Sequence, residues 1–211
     1  MNHLPENLMQ AASHSLADAL IADPFYRSVT RACDGDEARR LQMLAAYFEL
    51  ALVEGRQVGR VDLADADGSG AAIWTTDTDP ALRAAAYAAR ERALRDLLGA
   101  QGYANFSAIV DHMESNLAGW NLASAWYLSI AGIQSGAQGR GLGAALLAGG
   151  LHAVDRAGAA CFLETYNQRS LPFYGRLGFE ASAKFFEPVT AREYWLMVRQ
   201  PRSGNLPPLS R

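Results

Sequence analysis

The sequence predicts an α/β chain built on a mixed α+β sheet. Three observations carry that reading. The first half reads mostly helical, with apolar residues at helical spacing in its second helix. The second half alternates strand-like and helix-like runs. After two opening helices the elements read β-β-α-α-β-α-β-α-β-β, an order that calls for a mixed sheet with helices packed against it.

Leu8 to Ile21 reads as the first helix, stopped at Asp23-Pro24 because the residue before proline avoids helical backbone. Asp36 is placed to cap a second helix, whose Leu41, Leu44, Ala45, Phe48 and Leu52 fall on one face. Gln57 to Leu63 alternates and reads as a strand. Asp65 to Gly70 is turn chemistry, and Ala71 to Thr75 returns as the partner of a hairpin. Asp79-Pro80 opens a helix, with the carboxylate as cap and proline at the first helical position. Ala81 to Leu98 continues it with strong helix formers, and a further helix covers Ala104 to Met113. Ala123 to Ile133 is a strand, Leu142 to Arg156 a helix and Ala160 to Thr165 a strand. Ser170 to Leu177 is a short helix closed by Gly178. Strands near Glu180 to Phe185 and Tyr194 to Arg199 end the pattern.

At roughly 150 residues per domain, 211 residues make one domain with some elaboration. Residues 1–200 are read as that domain, and 201–211, rich in Pro, Ser and Gly, as a flexible tail. With 50% apolar and 19% charged residues the composition is globular. The net charge of −3 argues against a general nucleic-acid binder. Cys33 and Cys161 lie far apart with no CxxC and no Cys/His cluster, so no metal site is expected. No leader-like start and no run of about 18 apolar residues is seen, so a cytoplasmic protein without membrane contact is expected.

The most informative segment is Gln138-Gly139-Arg140-Gly141-Leu142-Gly143, between a strand and a helix. Glycines let the backbone turn its N–H groups toward a ligand, and the helix start adds partial positive charge. Together they suit a phosphate or pyrophosphate, the alternative being a tight turn that binds nothing. A Walker A loop would end in Gly-Lys-Ser/Thr, whereas Gly143-Ala144-Ala145 stands here. A dinucleotide fold fits better: Gly139, Gly141 and Ala144 match GxGxxG/A, with Glu164 downstream at a strand end. Against it, the stretch from Ile133 to Gly139 is too long, and too little chain follows Glu164 for the remaining strand–helix units.

Gln138-x-x-Gly141-x-Gly143 resembles the (Arg/Gln)-x-x-Gly-x-(Gly/Ala) loop of the GCN5-related N-acetyltransferases (GNAT), which bind acetyl-CoA. Trp126-Tyr127-Leu128 before the loop, Leu163-Glu164-Thr165 with Asn167 after it, and Phe173-Tyr174 through Gly178-Phe179-Glu180 extend the resemblance over Ala123 to Glu180. The family usually opens with a strand, which the start of this chain lacks, and Ser135 stands where many members have proline.

The resemblance implies a central, mostly antiparallel twisted sheet flanked by helices, and direct transfer of acetyl from acetyl-CoA to a neutral amine, without a metal. It places backbone N–H groups near Ala131 to Ile133 at the thioester arm, and those of Gln138, Gly139, Arg140, Gly141, Leu142 and Gly143 at the pyrophosphate, with Arg140 adding charge. Asn167 corresponds to a residue that hydrogen-bonds the cofactor arm; by itself it reads equally as a loop or cap residue. Tyr174 corresponds to the acid that protonates the departing thiolate; by itself it reads as a core tyrosine. Glu164 is the candidate base, or else a residue binding the amine or a backbone group. Phe25, Tyr26, Tyr47, Phe48, Phe185 and Phe186 are core or acceptor-pocket walls, and in the latter case favour a small, partly apolar amine. The same segments resemble the branch that holds antibiotic-modifying members, which also points to small molecules. Dimers are common in the family, so a homodimer is a candidate assembly. The competing classes are an NAD(P)-dependent oxidoreductase, which requires a parallel sheet, and a non-catalytic acyl-CoA-binding protein.

Overall fold

A computed structural model describes residues 5–76 and 78–202. In chain order these form α1 (Glu6–Leu20), α2 (Pro24–Val29), α3 (Glu37–Val58), β1 (Gly59–Leu63), β2 (Gly70–Thr75) and α4 (Pro80–Leu117). Then follow β3 (Trp126–Ile133), α5 (Leu142–Arg156), β4 (Cys161–Thr165), α6 (Leu171–Arg176), β5 (Glu180–Glu187) and β6 (Arg192–Arg199). The strands form one six-stranded sheet in the order β1-β2-β3-β4-β6-β5. Only β3 and β4 run parallel; the other neighbours are antiparallel. That pattern sets aside the dinucleotide alternative, which needs a parallel sheet.

Side chains alternate across the strands and so serve two cores. Ala71, Ile73 and Ile130 face α1, α3 and α4, where Leu16, Leu44, Phe48, Leu52 and Leu94 are buried. Ala72, Trp74, Leu128, Leu163 and Met197 face the opposite way, against Leu146, Leu147, Leu151 and Val154 of α5. The sheet is thus covered on both sides by the helices that the apolar spacing predicts.

Several expectations need correction. Asp23-Pro24 does not only stop α1. Asp23 accepts from the Phe25 amide at 2.9 Å and starts α2, using the same signature that Asp79 and Pro80 use to start α4. Leu41 lies on the exposed side of α3, while Leu44, Ala45, Phe48 and Leu52 are buried. The strand expected from Gln57 begins at Gly59, because α3 continues to Val58. A side chain at Gly59 would put its Cβ 2.0 Å from the Trp74 carbonyl oxygen, so only glycine lets the helix turn directly into the sheet. The two helices expected at Ala81–Leu98 and Ala104–Met113 are one element, interrupted at Gly99 by a left-handed φ of 67°. Among the described residues no strand precedes β1, so the sheet opens with the β1–β2 hairpin. In its turn, Asp65 Oδ1 accepts the amides of Asp67 and Ser69.

The tail expected from Pro201 lies outside the described residues beyond Arg202, whose amide donates to Asp155. Among the described residues no helix is long and apolar enough to cross a membrane.

Candidate active site

Two features of β3 prepare a ligand path. The first is a bulge. Tyr127 and Leu128 pair with Thr75 and Trp74, but Ile130 pairs with Ile73, so Ser129 is left over and its hydroxyl donates to the Ile73 carbonyl at 3.1 Å. The second is a parting of strands. β3 pairs with β4 only at Trp126–Cys161 and Tyr127–Phe162, and beyond these the two strands separate. The Gln134 amide donates to Ser69 on the β2 side. By strand alternation Ala131 and Ile133 therefore turn their N–H groups to the other side, into the gap.

The glycine loop stands at the end of that gap. Gly139 and Gly141 have φ of 76° and 80°, a region L side chains rarely adopt. A Cβ at either would meet nothing within 4 Å, so these glycines answer to backbone conformation, and the space over the loop is open. Gly141 is the N-cap of α5 and no side chain caps the helix. The first amides of α5 are therefore presented outward with the positive end of the helix dipole. Ser135 fixes the approach to the loop: its amide and hydroxyl both donate to Asp18 Oδ2 of α1, at 2.6 and 2.7 Å. Gln138 donates its side-chain amide to the Ile133 carbonyl at 2.9 Å, so what it offers a ligand is its backbone. Arg140 is exposed beside the glycines, Leu142 begins α5, and Gly143 packs against the ring of Phe173 in α6. These groups fit a pyrophosphate: open backbone donors, a helix start and one free-standing cationic side chain.

On the other side of the gap lies a cavity of about 720 Å³, walled by α2, α3 and α4 and by the parted ends of β3 and β4. Glu164, Tyr174 and Ala131 all line it, so the structure brings the two candidate catalytic residues to one chamber. Tyr127 donates its hydroxyl to Glu164 Oε2 at 3.2 Å, and Glu164 Oε1 is buried with no hydrogen-bond partner among the described residues. Burial pushes the Glu164 carboxyl up to about 7; the charge of Glu114 acts the same way, and the Tyr127 bond opposes them. The Tyr174 ring stands edge-on to Phe173 and Phe179, and burial pushes its hydroxyl up to about 12. It is therefore protonated at neutral pH.

Asn167 lies apart from the cavity and is exposed. Its Oδ1 caps a short 3-10 turn by accepting the Arg169 amide at 3.1 Å, which leaves the side-chain NH₂ for any other role. Phe25, Tyr26 and Tyr47 do wall the cavity. Phe48 is core, Phe185 packs on Tyr194, and Phe186 is exposed. His112 sits against the Phe186 carbonyl, His14 and His152 are exposed, and burial pushes the Cys161 thiol up to about 12.

Sequence reasoning missed Tyr127, Asp23, Glu54 and Arg90. Arg90 of α4 donates to Glu54 at 3.2 Å and to the Tyr47 hydroxyl at 3.1 Å, both on α3. Asp23 lines the same chamber; burial pushes it up to about 6 against the backbone bonds it accepts from Phe25 and Tyr26. A cap signature marked Asp23, and Tyr127 lay in the Trp126-Tyr127-Leu128 segment, with no role assigned to either, while nothing local marked Glu54 or Arg90. Among the described residues no group of three or more His, Cys, Asp or Glu side chains is placed to hold a metal ion.

The sequence model described as the acetyltransferase (GNAT) family matches residues 101–179, starting inside α4, earlier than the motifs alone suggest. A solved structure from Corynebacterium glutamicum, described as histone acetyltransferase HPA2 and related acetyltransferase, is similar with a TM-score of 0.65 and 22% identity over 96% of each chain. Arylalkylamine N-acetyltransferase 2 from Aedes aegypti is similar with a TM-score of 0.55 and 13% identity, over 94% of this chain and 97% of that one. At these identities the likeness is one of fold.

Proposed function

We propose that the chain is an acetyltransferase of the GNAT family, a reading that the family model's match over residues 101–179 supports, and that it moves an acetyl group from acetyl-CoA directly to a primary amine of a small molecule. The observation that carries this reading is the parting of β3 and β4, which lies between the open glycine loop and the chamber. Acetyl-CoA supplies the acetyl group as an activated thioester. The backbone donors from Gln138 to Gly143 hold its pyrophosphate, with Arg140 adding charge, and the Asn167 NH₂ serves the arm. The N–H groups of Ala131 and Ile133 orient the arm and polarise the thioester carbonyl in the gap.

Proton handling falls to Glu164 and Tyr174. An ammonium group cannot attack, so a base must remove its proton. Glu164, at about 7, stands close to neutral pH, where a general base works best. Its unpartnered Oε1 is the atom that accepts the proton. Tyr174, kept protonated by burial, gives a proton to the departing thiolate. The chamber volume of about 720 Å³ is that of a small-ligand pocket and its walls include the rings of Phe25, Tyr26, Tyr47 and Phe106, which supports a small molecule over a protein tail.

Calorimetric titration with acetyl-CoA, with NADH in parallel, tests the reading, followed by turnover against an amine panel. Binding of acetyl-CoA at 1:1, no binding of NADH, and acetylation of a small amine are expected. Binding of NADH alone would overturn it. Acetyl-CoA binding without turnover of any amine would leave an acyl-CoA-binding protein.

A further inference from the structure

Resting on that reading, we propose that the acceptor chamber selects organic cations with an apolar or aromatic body and rejects amines that also carry a carboxylate or phosphate. Among the described residues, six carboxylate side chains and one guanidinium line the chamber. Glu54 is paired with Arg90 and Glu91 with Arg95. Asp23, Asp111, Glu114 and Glu164 have no ion-pair partner among the described residues. The one lining cation is not open to an anionic ligand. Its two terminal nitrogens are engaged by Glu54 and Tyr47, and its third nitrogen is buried.

An anionic group entering the chamber would therefore meet unpaired carboxylates and, among the described residues, no free cation. A positive group meets the reverse. The buried Oε1 of Glu164, without a partner, lacks the donor that an ammonium would bring. The rings of Phe25, Tyr26, Tyr47 and Phe106 pack mainly edge-to-face, so each contributes either a face or an edge to the wall. Ring faces attract cations and bury apolar bodies. The raised affinities of Asp23 and Glu164 for protons agree with carboxylates that await a cation. For an acceptor derived from an α-amino acid, a decarboxylation must supply the substrate.

Matched ligands test the proposal by binding as well as by turnover. 2-Phenylethylamine, its non-acetylatable trimethylammonium analogue, 2-phenylethanol and phenylalanine share one ring and differ in charge; an aliphatic diamine and its carboxylated counterpart repeat the test with another body. Each is titrated calorimetrically into the full chain, alone and with CoA present. Cations are expected to bind at least about tenfold more tightly than the alcohol or the carboxylated partner, the quaternary analogue included. Asp23→Asn and Glu114→Gln together should narrow that ratio, with acetyl-CoA affinity unchanged. Equal or tighter binding of the carboxylated partners overturns the proposal, as does the absence of cation binding by protein that still binds acetyl-CoA. Failure to bind acetyl-CoA itself overturns instead the reading on which the proposal rests.

Discussion

The two sides of the gap between β3 and β4 are made of different materials. The loop side is backbone: left-handed glycines, an uncapped helix start and strand amides without a neighbour. The chamber side is side chains, with carboxylates, a guanidinium and rings brought from α2, α3 and α4. Backbone donors recognise what is constant in a ligand, such as a pyrophosphate, and tolerate change in the residues around them. A chamber of side chains can be recut one residue at a time, so the identity of the acceptor is written there. Tyr174 and Glu164, the proposed acid and base, belong to the second side, although α6 and β4 carry them next to the first.

The sharpest way to break this division is Tyr174→Phe. The substitution keeps the ring contacts with Phe173 and Phe179 and removes only the hydroxyl. Turnover should fall by about 10² to 10⁴-fold, the range for losing a positioned proton donor, with acetyl-CoA affinity nearly unchanged. Steady-state kinetics beside calorimetry separates the two. Unchanged turnover removes Tyr174 as the acid.

A smaller effect is expected on the backbone side, from Gly141→Trp. The protein itself leaves room for a Cβ there, so the added bulk is directed at the proposed cofactor position. Acetyl-CoA should bind roughly tenfold or more weakly, since a tenfold change needs only about 1.4 kcal/mol. Gly141→Ala is the control. It carries the cost of a left-handed φ of 80°, about 1–2 kcal/mol, without the bulk. It should lower Tm by a few degrees and keep most of the affinity. Equal affinity in the Trp variant and the parent contradicts the loop assignment.

The same contrast explains what could be read in advance. The loop side is contiguous, so Gln138 to Gly143 announced itself, and the helix after it was bounded at Leu142 and Arg156 as observed. The turn at Asp65 and the caps at Asp36 and Asp79 were legible because each acts within four residues. The chamber is not contiguous. Tyr127 meets Glu164 across 37 positions, and Arg90 reaches Glu54 and Tyr47 across 36 and 43. In a helix as rich in alanine as α4, a half-buried arginine leaves no periodic trace. Helix α2 was missed for another reason. Asp-Pro both ends one helix and begins the next, and only the stop was read at Asp23.

The smallest expected effect tests whether the chamber tunes its base through Tyr127. Its hydroxyl donates to the Glu164 carboxylate, and a bond to the charged form lowers a carboxyl's pKa. Tyr127→Phe keeps the parallel stack on Phe162, 4.6 Å between centroids, and removes only that bond. Glu164 should then hold its proton to higher pH than about 7. A hydrogen bond of about 1 kcal/mol moves the acidic limb of the kcat profile up by somewhat less than one pH unit. At neutral pH turnover should fall a few-fold, and above the shifted limb it should recover. A merely structural tyrosine would lower the whole profile without moving it. Glu164→Gln supplies the reference, because it should abolish the limb altogether; a limb that persists there belongs to another group, and Tyr127 then has no base to tune.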